Sequence, residues 1–153
     1  IIEEFCENES IQLSLRIRLW KLVKLKIGVT NGCFDVLHSG HLHLLSEAKK
    51  NCDKLIVLLN SDKSIKKIKG KNRPMLKLNQ RIKLLKMIKD VDDVEVFEEK
   101  TPEKIIRKIL PNILFKGSDY KAKELIGYDI INNNGGKVKI IKKLKDFSSS
   151  KLI

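Results

Sequence analysis

The chain has 153 residues, of which 42% are hydrophobic and 33% charged, and its 32 lysines and arginines against 19 acidic residues give a formal net charge of +13. This is the composition of a globular domain that can bury roughly 70% of its unfolded surface, and it points away from a disordered or membranous chain. No apolar run approaches the ~20 residues of a membrane helix, and the opening IIEEFCENES lacks the pattern of a secretory signal. A cytoplasmic protein with no membrane partner is expected, and an opening Ile is compatible with a processed product or one part of a longer polypeptide.

Residues 10–25 carry Leu13, Leu15, Ile17, Leu19, Trp20 and Leu22 and predict an N-terminal helical extension, residues 1–25, packed on a main domain, residues 26–153. Short apolar runs of β type follow at 26–30, 55–60, 94–97, 113–115 and 138–141. Leu42, Leu45 and Ala48 predict a helix over 41–50 that His41 opens, and Ile82, Leu85 and Ile88 predict another over 79–89. Thr101 as N-cap and Pro102 as first helical residue start a third, which Leu110-Pro111 stops. A fourth covers 123–131 and ends at Asn134-Gly135-Gly136. Each connection is long enough for a crossover helix, so the strands pair in parallel and the fold class is a doubly wound α/β sheet. Ligands of such sheets sit beyond the carboxyl ends of the strands, where the strand order reverses.

Charge alone does not point to nucleic acid. The lysines are spread along the chain, only five basic residues are arginine, and aromatics make up 5% of the chain, few for base stacking. Cys6, Cys33 and Cys52 form no CxxC pair, so reduced, mostly buried thiols are expected.

The chemistry concentrates in Thr30 to His41, TNGCFDVLHSGH. Here a strand runs into Asn31, Gly32, Cys33, Phe34 and Asp35 and then His38-Ser39-Gly40-His41. A helix start presents unpaired backbone N–H groups and partial positive charge, Gly40 lets a polyphosphate approach, and two imidazoles add donors. Metal-ligand and purely structural roles for His38 and His41 stay open at this point, His43 lies on another helix face, and Asp35 is read as a carboxylate that fixes its loop.

This stretch resembles the signature of the HxGH nucleotidyltransferase superfamily, and its surroundings are similar to the heptose 1-phosphate adenylyltransferase branch. The similar residues are Asn60-Ser61-Asp62, Lys69-Gly70 with Arg73-Pro74, Gln80-Arg81, Phe97-Glu98-Glu99 with Thr101-Pro102, Lys116-Gly117-Ser118-Asp119-Tyr120, and Ser148-Ser149-Ser150. Asn51-Cys52, Lys77 and Ser118 depart from that branch. TNGCFD and KGSDY differ from the TYGTFD and GDDW types of glycerol-3-phosphate cytidylyltransferases.

The resemblance implies a Rossmann-like five-stranded parallel sheet of order 3-2-1-4-5 and transfer of AMP from ATP to D-glycero-D-manno-heptose 1-phosphate, giving ADP-heptose for a surface glycan. It implies His38, His41, Lys69 and Arg73 as catalytic groups, with Lys69, Lys71 and Arg73 on the loop after the second strand. Asn31, Gly32, Cys33, Phe34, Gly40, Lys71, Lys116, Gly117, Asp119, Tyr120, Ser148, Ser149 and Ser150 would bind nucleotide or phosphate. Asp35, Asn60, Asp62 and Arg81 would act on the substrate side or as framework. Mg²⁺ would be held mainly by phosphates rather than by the protein, and the enzyme would be a homodimer fused to, or working with, a heptose kinase. A cytidylyltransferase acting on glycerol 3-phosphate and a non-catalytic nucleotide- or nucleic-acid-binding module are the alternatives.

Overall fold

A computed structural model of the chain describes residues 9–119 and 121–143, with side chains from residue 13 onward. The elements are α1 (Glu9–Leu22), β1 (Ile27–Gly32), α2 (Ser39–Lys49), β2 (Lys54–Asn60), α3 (Asp62–Lys69), α4 (Leu78–Lys86), β3 (Asp93–Phe97), α5 (Glu103–Ile109), β4 (Ile113–Gly117), a 3₁₀ turn (Ala122–Glu124), α6 (Tyr128–Asn133) and β5 (Lys137–Ile141). All strand pairs are parallel and the order is β3-β2-β1-β4-β5, the Rossmann-like arrangement predicted.

Strand β2 is covered on both sides, as its near-continuous apolar run requires. Leu55, Val57 and Leu59 of β2 face one cluster with Leu45 and Ala48 of α2 and Leu85 of α4. Ile56 and Leu58, pointing the other way, join Ile106 and Ile109 of α5, Ile131 of α6, and Leu13 and Ile17 of α1. α1 is thus part of the second layer. Its Arg16 pairs with Asp93 at 2.7 Å and Glu95 at 3.0 Å on edge strand β3, and Lys21 donates to the Ile109 carbonyl at 2.9 Å.

Pairing between β1 and β2 runs on to Gly32 opposite Leu59, whereas β1 and β4 are in register only at Gly28–Ile113 and Val29–Leu114. Beyond that point the two strands part, which opens the crevice at the reversal of strand order. Gly28 sits just below the split. A Cβ there would lie 2.5 Å from the Phe115 ring and 2.8 Å from the Cys52 sulfur, so the packing admits only glycine.

Several boundaries differ from expectation. α2 begins at Ser39 with His38 as N-cap, because paired histidine–backbone bonds start the helix earlier. Pro102 is the N-cap of α5, its carbonyl taking the first helical bond from Ile106 at 2.9 Å, and Thr101 lies outside the helix. The helix expected over 123–131 is broken by Gly127, whose φ of 95° is left-handed. Gly135, at φ 79°, supplies the expected left-handed stop. α3 was not expected at all; Ser61 caps it by accepting from the Ser64 N–H at 3.0 Å. Cys33 and Cys52 are free thiols of intermediate exposure where mostly buried ones were expected, and Cys6 lies outside the described residues. Among the described residues no helix is long and apolar enough to cross a membrane.

Candidate active site

The loop from β1 into α2 turns on Phe34, at φ 47°. His38 then takes the N-cap, its Nδ1 accepting the Gly40 N–H at 3.1 Å, while the His38 N–H donates to His41 Nδ1 at 3.3 Å. Because both Nδ1 atoms accept, the proton of each neutral ring belongs on Nε2. The helix cap therefore sets the tautomer of both imidazoles. The rings lie 4.0 Å apart, and His38 Nε2 is buried with no partner among the described residues. Burial, followed by the charges of His38, Lys143 and Lys69, pushes the His41 pKa down to about 4. Burial and Lys143 lower that of His38. Near neutral pH the pair consists of uncharged N–H donors at the start of a helix.

Beneath them lies a saturated polar layer. Buried Asp35 accepts the N–H groups of Met75 and Leu76, both at 2.9 Å, and pairs with Arg73 at 3.2 Å. Burial alone would raise its carboxyl pKa, but the two backbone N–H groups and the guanidinium outweigh this and hold it below the ordinary range. Arg81 is 1% exposed. It donates to the carbonyls of Leu76 at 2.9 Å, Cys33 at 3.0 Å and Asn60 at 2.7 Å, and to the Asp62 carboxylate at 2.6 Å. Asn60 in turn donates to the Ser64 hydroxyl at 3.0 Å. These groups join the loop after β1 to the end of β2 and the segment before α4.

Above this layer is a cavity of about 300 Å³ that gathers Asn31, Gly32, Cys33, Phe34, Asp35, His41, Asn60, Lys69 and Lys116 from the predicted set. It adds Ile68 and Lys100, which the sequence does not single out, and Pro102, expected only as a helix start and as part of the resemblance. Lys116 reaches across the strand split to the Asn31 carbonyl at 2.8 Å, and burial lowers its pKa to about 8. Burial raises that of the Cys33 thiol. Lys69 is the last residue of α3 rather than part of a loop, since α3 carries it to the cavity mouth. Lys71 is exposed beyond Gly70, and Arg73 is held by Asp35 outside the cavity lining.

Gly117 ends β4, and a Cβ on it would meet Lys143 Cε at 3.0 Å. Lys143 also pairs with Asp119, and its N–H donates to Ser118 Oγ at 3.3 Å. It closes the β4–β5 side of the crevice, a role with no signal in so lysine-rich a sequence. Tyr120, Ser148, Ser149 and Ser150 lie outside the described residues. A larger hollow of about 580 Å³ between α2 and β5 includes His43, whose Nε2 is 3.0 Å from the Lys142 carbonyl, but neither of the paired histidines.

A cavity at the strand-order reversal, lined by His41 of the paired-imidazole helix cap and by lysines from three other segments, defines an α/β protein with a site suited to phosphate groups. The profile of the cytidylyltransferase-like family matches residues 29–153, and the chain belongs to that family. It is 40% identical over 151 residues, 99% of its length, to the bifunctional protein HldE of Rhodopseudomonas palustris strain BisB5. It is 41% identical over 139 residues, 91% of its length, to that of Gluconacetobacter diazotrophicus. The chain spans 31% and 28% of the length of those two relatives. Its structure is also similar to the crystal structure of the lipopolysaccharide core biosynthesis protein from Thermoplasma volcanium GSS1. The TM-score there is 0.65 at 33% identity, over 80% of this chain and 99% of that one.

Proposed function

We propose that this chain transfers AMP from ATP to D-glycero-D-manno-heptose 1-phosphate, releasing pyrophosphate and forming ADP-heptose for a surface glycan. The observation that carries the reading is the histidine cap, which holds two neutral Nε2–H donors beside a lysine-lined cavity. Similarity to bifunctional HldE proteins and to a lipopolysaccharide core biosynthesis protein supports the acceptor.

In this mechanism an oxygen of the sugar phosphate attacks the α-phosphorus of ATP in line. A new P–O bond forms as the bond to the β-phosphate oxygen breaks, and pyrophosphate carries away the electron pair. The attacking oxygen is already anionic, so no protein nucleophile or strong base is needed. The protein positions two polyanions and stabilises charge on the transferring group. His38 and His41 donate to the triphosphate, Lys69 and Lys71 neutralise it, and Arg73 spends one donor on Asp35 and keeps others for phosphate. Asn31, Gly32, Cys33, Phe34 and Gly40 shape the phosphate loop. Lys116, Gly117 and Asp119 border the nucleotide.

Mg²⁺ enters the proposal as an ion carried by the phosphates, where it would offset their charge. Asp35 is already occupied by two N–H groups and Arg73, and no cluster of three or more His, Cys, Asp or Glu able to hold a metal occurs among the described residues. No step is routed through the ion. The proposal extends to a cytoplasmic homodimer, to residues 26–153 as the transferase domain behind the extension 1–25, and to a heptose kinase fused to it or acting beside it.

The test is pyrophosphate release with ATP or CTP, each paired with heptose 1-phosphate or glycerol 3-phosphate, alongside His41→Ala. Turnover with ATP and heptose 1-phosphate, lost in the variant, is the expected result. Turnover only with CTP and glycerol 3-phosphate would make the chain a cytidylyltransferase, and turnover with no pair would overturn the proposal.

A further inference from the structure

We infer that Lys100, on the loop after β3, is the cationic group that binds the phosphate of the acceptor. The inference deepens the transferase reading and rests on it for the identity of the two ligands.

Three lysines from three segments converge on the 300 Å³ cavity: Lys69 at the end of α3, Lys100 after β3 and Lys116 in β4. Among the described residues the only carboxylate in its lining, Asp35, is balanced by Arg73. The cavity is therefore built for more than one phosphate. Lys116 is already bonded to Asn31, whereas no hydrogen bond or ion pair of the Lys100 side chain is found among the described residues.

The backbone carrying Lys100 is fixed from below. Fully buried Ser64 donates its hydroxyl to the Glu99 carbonyl at 2.7 Å, and the Ser61 N–H donates to the Phe97 carbonyl at 3.0 Å. On the other side Pro102 caps α5 and lines the same cavity. Lys100 itself is exposed, so its ammonium stands at the rim of the cavity on an anchored loop.

Position then separates the two ligands. The histidine cap and the Lys116–Asp119 segment lie on the β1/β4 side of the site, where the nucleotide reading puts ATP. β3 is two strands away from β1, roughly 10 Å at ordinary strand spacing. In-line transfer brings the attacking phosphate oxygen to the side of the α-phosphorus opposite the leaving pyrophosphate, and the β3 loop supplies a cation on the flank away from the nucleotide motifs.

The experiment compares wild type, Lys100→Ala and Lys100→Arg by steady-state pyrophosphate release, and by separate calorimetric titrations with heptose 1-phosphate and with α,β-methylene-ATP. In Lys100→Ala the acceptor KM and Kd should rise about tenfold or more, the scale of one charge-assisted hydrogen bond. The ATP KM and analogue Kd should stay within about twofold, and Lys100→Arg should recover most of the acceptor affinity, because a cation is retained. Unchanged acceptor affinity in Lys100→Ala, an equal loss for ATP, or wild type that binds no heptose 1-phosphate would each overturn the inference. Wild type that binds heptose 1-phosphate in a Lys100-dependent way, yet turns over no substrate pair, would sink the transferase reading and leave the Lys100 assignment standing.

Discussion

Arg81 and Lys69 are both cations beside the same cavity, and they are bound in opposite ways. Arg81 is almost completely buried and satisfied by three carbonyls and Asp62, while Lys69 is exposed at the end of α3 with no hydrogen bond or ion pair found among the described residues. Asp35 and Lys100 repeat the contrast one layer apart. In a chain with 32 basic residues, charge by itself separates nothing. Saturation does: a cation whose donors are spent on backbone is framework, because moving it would strand buried carbonyls. A cation whose donors are unspent at a cavity rim is available to a ligand.

The sharpest way to break this comparison is Arg81→Met, which keeps apolar volume and removes every donor. It leaves the Leu76, Cys33 and Asn60 carbonyls short of partners, and the loss should be about 3–5 kcal/mol. For a domain of this size that is a fall in Tm on the order of 10 °C. A thermal melt within about 2 °C of wild type would show that Arg81 is no framework group.

His38→Asn comes next and separates two functions of one side chain. Asparagine is a good N-cap, so stability should stay within about 1 kcal/mol. It offers nothing in place of Nε2, so the rate of pyrophosphate release should fall roughly 100- to 1000-fold. Loss of stability with the rate retained would make His38 a cap alone.

The parallel, doubly wound sheet was legible because each strand is a compact apolar run and each connection long enough for a helix, while its order came only from the resemblance. The turn from β1 into the histidine-capped α2 was legible because glycine and two histidines follow a strand directly. α3 was missed because its buried contribution is only Ser64 and Ile65, too few apolar positions to mark a period. Lys69 was consequently assigned to a loop. The break at Gly127 was missed because only the backbone conformation, with Ile106 2.9 Å from where a Cβ would stand, distinguishes it from a glycine tolerated within a helix. Lys100 and Lys143 carried no signal, since position in the fold rather than residue type sets them apart from the other lysines. Asp35 was read as a loop-fixing carboxylate, and its bonds to Met75 and Leu76 agree with that. The same bonds tie up Arg73, which sequence alone leaves wholly available for phosphate.

The smallest expected effect concerns acid. His41 has an ordinary pKa of 6.5, lowered to about 4 in the fold. Between those values the unfolded chain binds a proton that the folded chain does not, so stability is level above pH 6.5 and declines as pH falls toward 4. His38 is shifted in the same direction and adds to the decline. Asp35 acts in a separate window, because its lowered pKa stabilises the fold above 3.8 and loses that contribution only at lower pH. Urea midpoints at a series of pH values, for wild type and His41→Gln, isolate the first window. The advantage of wild type over the variant should shrink steadily on going from neutral pH toward 4.5, since glutamine has nothing to titrate. A constant difference would mean that His41 is not held neutral. The phosphate grip would then start from an imidazolium, and the separation drawn between uncharged cap donors and charged rim lysines would fail at its central residue.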